Sequence, residues 1–191
     1  MKIFNGVKQF NKAFTLIELI IVIAIIAILS VIAFPYYQPA RKQLALQRSA
    51  NKLAQDIRRA QGMALGAEAE GVGGEVPEGG YGVYFKIVDW DNKAYRLYAD
   101  TDPNGFWTSA DVGFSEIINL EKGIYIYEIP DSAPGNPRAN INFKPPDPEV
   151  VITWVGLGEA RIILCIEGTD CGLSTNKKTV HINKAGLIYV E

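Results

Sequence analysis

NKAFTLIELIIVIAIIAIL, residues Asn11–Leu29, is apolar from Ala13 onward except for Thr15 and one acid, Glu18. The apolar run continues to Phe34. Between Phe14 and Phe34 the only other polar side chain is Ser30. As a helix rising ~1.5 Å per residue, this stretch spans ~30 Å, the thickness of a bilayer core. Lys2, Lys8 and Lys12 precede it and no acid does. That bias holds residues 1–13 in the cytoplasm and sends the C-terminus out.

Three readings compete for this stretch. A cleaved secretory signal carries an apolar stretch of ~7–15 residues and a small-residue cut site after it. This run is longer and ends in FPYYQP, residues 34–39. A plain membrane anchor accounts for the length and the lysines but leaves Glu18 unexplained. An acid in hydrocarbon costs at least ~2.5 kcal/mol and usually has a partner. The third reading supplies one. A cut between Ala13 and Phe14 would create an α-amine at Phe14, one helical turn above Glu18, in the same chain or a neighbouring copy.

On these residues, KAFTLIELIIVIAIIAIL with its basic leader, the chain resembles type IV prepilins and type II secretion pseudopilins. The resemblance implies cleavage after Ala13 by a prepilin peptidase, N-methylation of Phe14, and a role for Glu18 in placing the subunit in a filament. It also implies an inner-membrane assembly platform, a lipid bilayer and other pilins as partners. The chain departs from the family's usual glycine before the cut, having Ala13. Pro35 falls where many pilins carry a helix-disturbing proline, and a proline inside a helix removes a hydrogen bond and bends it. The expectation is one helix over residues 14–66, membrane-embedded at 14–34 and bent at Pro35. The alternative is that Pro35 and Pro39 end it.

Downstream, Leu46, Ala50, Leu53, Ile57, Ala60 and Ala64 are spaced 4, 3, 4, 3, 4, forming one apolar stripe of an amphipathic helix. Its alanines suit packing on a sheet. Arg41, Lys42, Arg48, Lys52, Arg58 and Arg59 lie mostly off the stripe and read as a solvated face.

Residues 67–80 read as a Gly- and Glu-rich loop. Nine short runs follow, rich in β-branched and aromatic residues and punctuated by Gly, Pro, Asn and Asp. They begin with YGVYFKIVDW at Tyr81 and end with KTVHIN and GLIYV. Residues 81–191 are therefore expected to form an antiparallel β domain resting on the amphipathic helix. The fold class is α+β and pilin-like. The layout resembles, more weakly, the H-type minor pseudopilins and related minor pilins. Some relatives bind DNA through arginines near the final glycine. Here that stretch is NKAGLIYVE with only Lys184, and the net charge is −2, so DNA binding is not carried over. A minor tip subunit contacting DNA or a surface remains the second reading.

Cys165 and Cys171 are the only cysteines. They suit a short-loop disulfide if this part is exported, or two partly buried thiols if it is not. DTDPNGFWTSAD, residues Asp100–Asp111, has the spacing of a calcium loop. Asp100, Asp102, Asn104 and Asp111 stand at positions 1, 3, 5 and 12, Gly105 at 6, and Phe106 would offer a carbonyl at 7. It resembles dockerin loops, which also end in Asp. Pro103 and the lack of flanking helices favour a simple turn instead. No nucleophile elbow, phosphate loop or metal-binding His pair is present, so an enzyme is not expected. His181 reads as an ordinary strand residue. Asp89, Asp91, Glu116 and Glu121 are scattered acids. Trp90, Trp107 and Trp154 read as core or filament contacts.

Overall fold

The computed structural model describes residues 14–87, 92–111, 113–145, 149–156 and 158–191, with the side chains of residues 33–38 and 72 excluded. The 1–13 leader, with Ala13, lies outside the described residues, as do Asp89, Trp90, Asp91 and the side chain of Pro35. The chain divides into two compact units, Met1–Ala40 and Arg41–Glu191.

Helix α1 (Leu16–Leu65) is assigned without interruption through Pro35 and Pro39, so neither proline ends it. It starts two residues after Phe14. Thr15 caps it: the Glu18 N–H donates to Thr15 Oγ1 at 3.3 Å and the Leu19 N–H to the Thr15 carbonyl at 3.2 Å. Thr at the N-cap and Glu three residues on is the capping-box pattern. Every described side chain from Phe14 to Ile32 is exposed. Among the described residues no helix is long and apolar enough to cross a membrane. α1 begins at Leu16, and the side chains of Ala33 and Phe34, the last two of the expected 14–34 span, lie outside the described residues.

In the second unit, the stripe residues Leu46, Ala50, Leu53, Ile57, Ala60 and Ala64 are all buried, joined by Ala45, Ser49, Ala54 and Met63. They share one core with the inner faces of two antiparallel sheets. The five-stranded sheet has the order β3-β2-β1-β5-β6. Its strands are β1 (Gly80–Lys86), β2 (Ala94–Asp100), β3 (Ser115–Asn119), β5 (Arg138–Lys144) and β6 (Glu149–Thr153). The four-stranded sheet has the order β4-β7-β8-β9, from β4 (Ile124–Glu128), β7 (Glu159–Ile166), β8 (Lys177–Asn183) and β9 (Ile188–Val190). Period-2 alternation feeds the core. Tyr81, Val83 and Phe85 of β1, Tyr95, Leu97 and Ala99 of β2, and Ala139, Ile141 and Phe143 of β5 all point inward. Ala160, Ile162, Leu164 and Ile166 do the same from β7.

The basic face of the helix is exposed, as expected, and three of its six residues also reach the sheets. Arg48 forms a bidentate pair with Glu121, at 2.8 and 2.7 Å, and Arg59 pairs with Glu116 at 3.1 Å. Arg58 donates to the Ile188 carbonyl at 2.8 Å. Half of that face therefore clamps the sheets, and Glu116 and Glu121 are partners of the helix rather than scattered acids. The final hairpin is present: β8 pairs antiparallel with β9, His181 facing Tyr189.

Candidate functional site

β2 ends at Asp100, and residues 101–111 fold back against the five-stranded sheet on its non-core side. The register brings the pieces together: Gly80 lies opposite Asp100, and Gly82 lies opposite both Tyr98 and Asn142. Gly82 leaves room for the Tyr98 ring, since a Cβ there would come within 2.6 Å of it. Tyr98 Oη donates to Asn140 Oδ1 at 2.9 Å. Asn140 Nδ2 donates to the Gly105 carbonyl at 3.0 Å, and Asn142 Nδ2 to Asp100 Oδ2 at 3.1 Å. Two asparagines of β5 thus hold the loop from below.

Within the loop the acids converge. Asp100 Oδ2 also accepts the Gly105 N–H at 2.7 Å. Gly105 has φ +79°, the left-handed conformation the expected sharp bend requires. Asp111 accepts the Thr101 N–H on Oδ1 at 2.9 Å and the Thr108 N–H on Oδ2 at 2.7 Å. Asp102 Oδ2 accepts from the Thr108 hydroxyl at 3.0 Å. One carboxylate oxygen from each of Asp100, Asp102 and Asp111 lies within 4.8 Å of the other two. Asn104 spends its Oδ1 on the Phe106 N–H at 2.8 Å, a local turn, and the Phe106 ring packs edge-on against Trp154.

Asp100 is fully buried and Asp111 nearly so. Burial pushes Asp100 up to about 6, opposed by the Gly105 N–H and reinforced by the charges of Asp111 and Asp102. Asp100 Oδ1, Asp102 Oδ1 and Asn142 Oδ1 are buried and receive no hydrogen bond. Only two other buried side-chain atoms among the described residues share that condition, Thr153 Oγ1 and His181 Nε2. The orphaned oxygens are therefore concentrated here.

Sequence spacing found the three aspartates but missed Asn140 and Asn142. The signal was the alternation in ANINF, where polar residues take every second place of a buried strand. It missed Gly79 too, where a Cβ would lie 2.2 Å from Asp100 Cγ.

The remaining candidates fall elsewhere. Cys165 and Cys171 are disulfide-bonded, and Cys165 is fully buried in β7. His181 is nearly buried, stacked on Tyr189, with Glu159 at 2.8 Å from Nδ1 and Glu191 at 3.3 Å from Nε2. Trp107 and Trp154 flank Tyr84, with Arg96 over Trp107 and Arg138 over Trp154. These indoles are half-buried on the sheet rather than in the core.

At the other end of the chain stand Phe14, capping Thr15 and exposed Glu18, heading an apolar helix. A family model matches here. Residues 8–34 carry the prokaryotic N-terminal methylation motif. It is the prepilin-type signature, and it supports a pilin- or pseudopilin-like precursor and a structural rather than enzymatic role. No curated protein and no solved structure matches the chain. The methylation motif ends at Phe34, so it covers residues 8–13 and the first part of α1 and none of the β domain.

Proposed function

We propose that the chain is the precursor of a structural filament subunit, a pilin or pseudopilin of a type IV pilus or a type II secretion filament. A prepilin peptidase cuts between Ala13 and Phe14 and methylates the new Phe14 amine. The subunit waits in the inner membrane with its C-terminus outside the cytoplasm, then polymerises with other pilins through its N-terminal helix. One observation carries the reading: the methylation motif runs into a helix whose described side chains, from Leu16 to Ile32, are all exposed. Apolar surface of that extent needs lipid or other helices around it.

Glu18 has two physical supports in this reading. At the N-terminus of a helix its charge faces the positive end of the dipole. In a filament it would also offset the Phe14 amine of an adjacent subunit and so set the axial register. The decisive measurement is mass spectrometry of the mature N-terminus from a host with a prepilin peptidase. It should begin at Phe14 and carry one methyl group; a mature chain that keeps residues 1–13 would end the proposal. Glu18→Ala should then leave cleavage intact while reducing sheared filament at least tenfold by immunoblot. Wild-type filament yield from that variant would remove the register role alone.

A further inference from the structure

Three carboxylates gathered at the base of a half-exposed loop need positive charge, and the hydrogen bonds present do not supply it. The Gly105, Thr101 and Thr108 N–H groups, the Thr108 hydroxyl and the Asn142 amide occupy Asp100 Oδ2, both oxygens of Asp111 and Asp102 Oδ2. No lysine or arginine is paired with the aspartates in this set of bonds. What remains is Asp100 Oδ1 on a fully buried side chain and Asp102 Oδ1 beside it, both without a donor. An orphaned buried carboxylate oxygen is costly, more so next to two like charges.

We propose that Asp100 Oδ1, Asp102 Oδ1 and a carboxylate oxygen of Asp111 bind one calcium ion, which locks residues 101–111 onto the five-stranded sheet. All three donors are hard oxygens, the ligand type that calcium takes. One carboxylate oxygen from each aspartate lies within 4.8 Å of the other two, which matches two oxygens on one calcium ion, at ~2.3–2.6 Å each and so at most about 5 Å apart. Magnesium binds oxygen at ~2.0–2.1 Å, demands a near-ideal octahedron and keeps several waters, which suits three carboxylates up to 4.8 Å apart less well. The ligand set is narrower than the sequence spacing indicates. Asn104 is committed to the Phe106 N–H, while the hydrogen bonds from Asn142 and Gly105 orient the Asp100 carboxylate so that its free oxygen is the one without a donor. The ion would join the end of β2 to residue 111 through charge, adding to the two asparagines and to the ring contacts of Phe106 and Trp107. The site belongs to the second unit and does not depend on how the filament reading fares.

The test uses the full chain in detergent micelles after EDTA treatment and dialysis. Terbium, a calcium mimic, should show emission sensitised by tryptophan, because Trp107 is part of the loop. That emission should saturate at one equivalent and be displaced by calcium. Calcium at ~10 mM should raise the melting temperature by about 4 °C or more, and magnesium at the same concentration should raise it by less than half as much. Asp102→Asn, at a half-buried position outside the strands, should keep the EDTA melting temperature and weaken terbium binding at least tenfold. Asp100→Asn should abolish both responses; if it does not fold, Asp102→Asn alone carries the test. Wild-type protein with neither terbium emission above that of Asp102→Asn nor a calcium-dependent melting shift overturns the site. Equal stabilisation by magnesium overturns the assignment to calcium.

Discussion

Thr15 and Glu18 show how one residue can satisfy two demands. The sequence makes Glu18 look anomalous, a charge at the head of an apolar run. Geometry adds that Glu18 is the third residue of a helix capped by Thr15, where an acid is favoured by the helix dipole. The other end of α1 is less well served. The Glu68 N–H reaches the Met63 carbonyl at 3.0 Å and the Ala67 N–H the Ala64 carbonyl at 3.2 Å, the two bonds of a Schellman cap. The left-handed residue in that cap is Ala67, with φ +46°, one place beyond the glycine at Gly66. An alanine there carries a Cβ penalty that glycine avoids, partly offset by glycine's greater freedom when unfolded. Ala67→Gly is therefore expected to stabilise the β-domain unit by about 0.5–1 kcal/mol, read as a rise in the urea midpoint at constant slope. A loss of stability would mean that the cap is not formed in solution.

At the scale of elements, the amphipathic half of α1 was fully legible. A stripe at helical spacing names its own buried face, and all six of its residues are buried. The nine strand runs were legible from composition: each is rich in β-branched and aromatic residues and is set off by turn formers. Which strand joins which sheet was not. β4 leaves the first sheet between β3 and β5 to begin the second, a choice set by pairing across tens of residues and not by local pattern. The arginine clamps were unreadable on the same ground, since Arg48 meets Glu121 at a separation of 73 residues. The aspartate loop lies between these cases. Its spacing was visible, but the asparagines supporting it come from β5, a strand that only the sheet order brings beside it.

These two kinds of contact differ in worth. Ile57 is fully buried between the sheets, and Ile57→Ala should cost about 3 kcal/mol through lost burial and the cavity left behind. Arg48 and Glu121 are 61% and 38% exposed, so water and salt screen their attraction despite good geometry. Arg48→Ala should leave the urea midpoint close to wild type. Glu121 is held below the usual carboxylate range, first by its hydrogen bond from Arg48, so whatever the pair adds is present at neutral pH. It is lost as pH falls through the lowered value. A larger loss for Arg48→Ala than for Ile57→Ala would show that the helix is fastened to the sheets by charge rather than by packing.

The whole molecule consists of two units that make opposite demands on solvent. Residues 14–32 expose apolar side chains at every turn, whereas among the described residues the buried core begins at Ala45. That core takes side chains from the helix and from both sheets and is pinned by the Cys165–Cys171 bond. Closing so short a loop restricts the unfolded chain by about 2 kcal/mol on chain-entropy grounds. Stability and association should therefore be separable along the sequence. A chain lacking residues 1–40 should sediment as a monomer without detergent and melt within about 3 °C of the full chain in micelles, since every described core residue is kept. The full chain without detergent should sediment as large assemblies, because its exposed apolar helix has only other copies to pack against. Analytical ultracentrifugation alongside a thermal melt reads both. If the shortened chain melted ~10 °C lower, residues before Arg41 would be supporting the β domain directly, and an element drawn as a handle for assembly would instead be part of the fold's foundation.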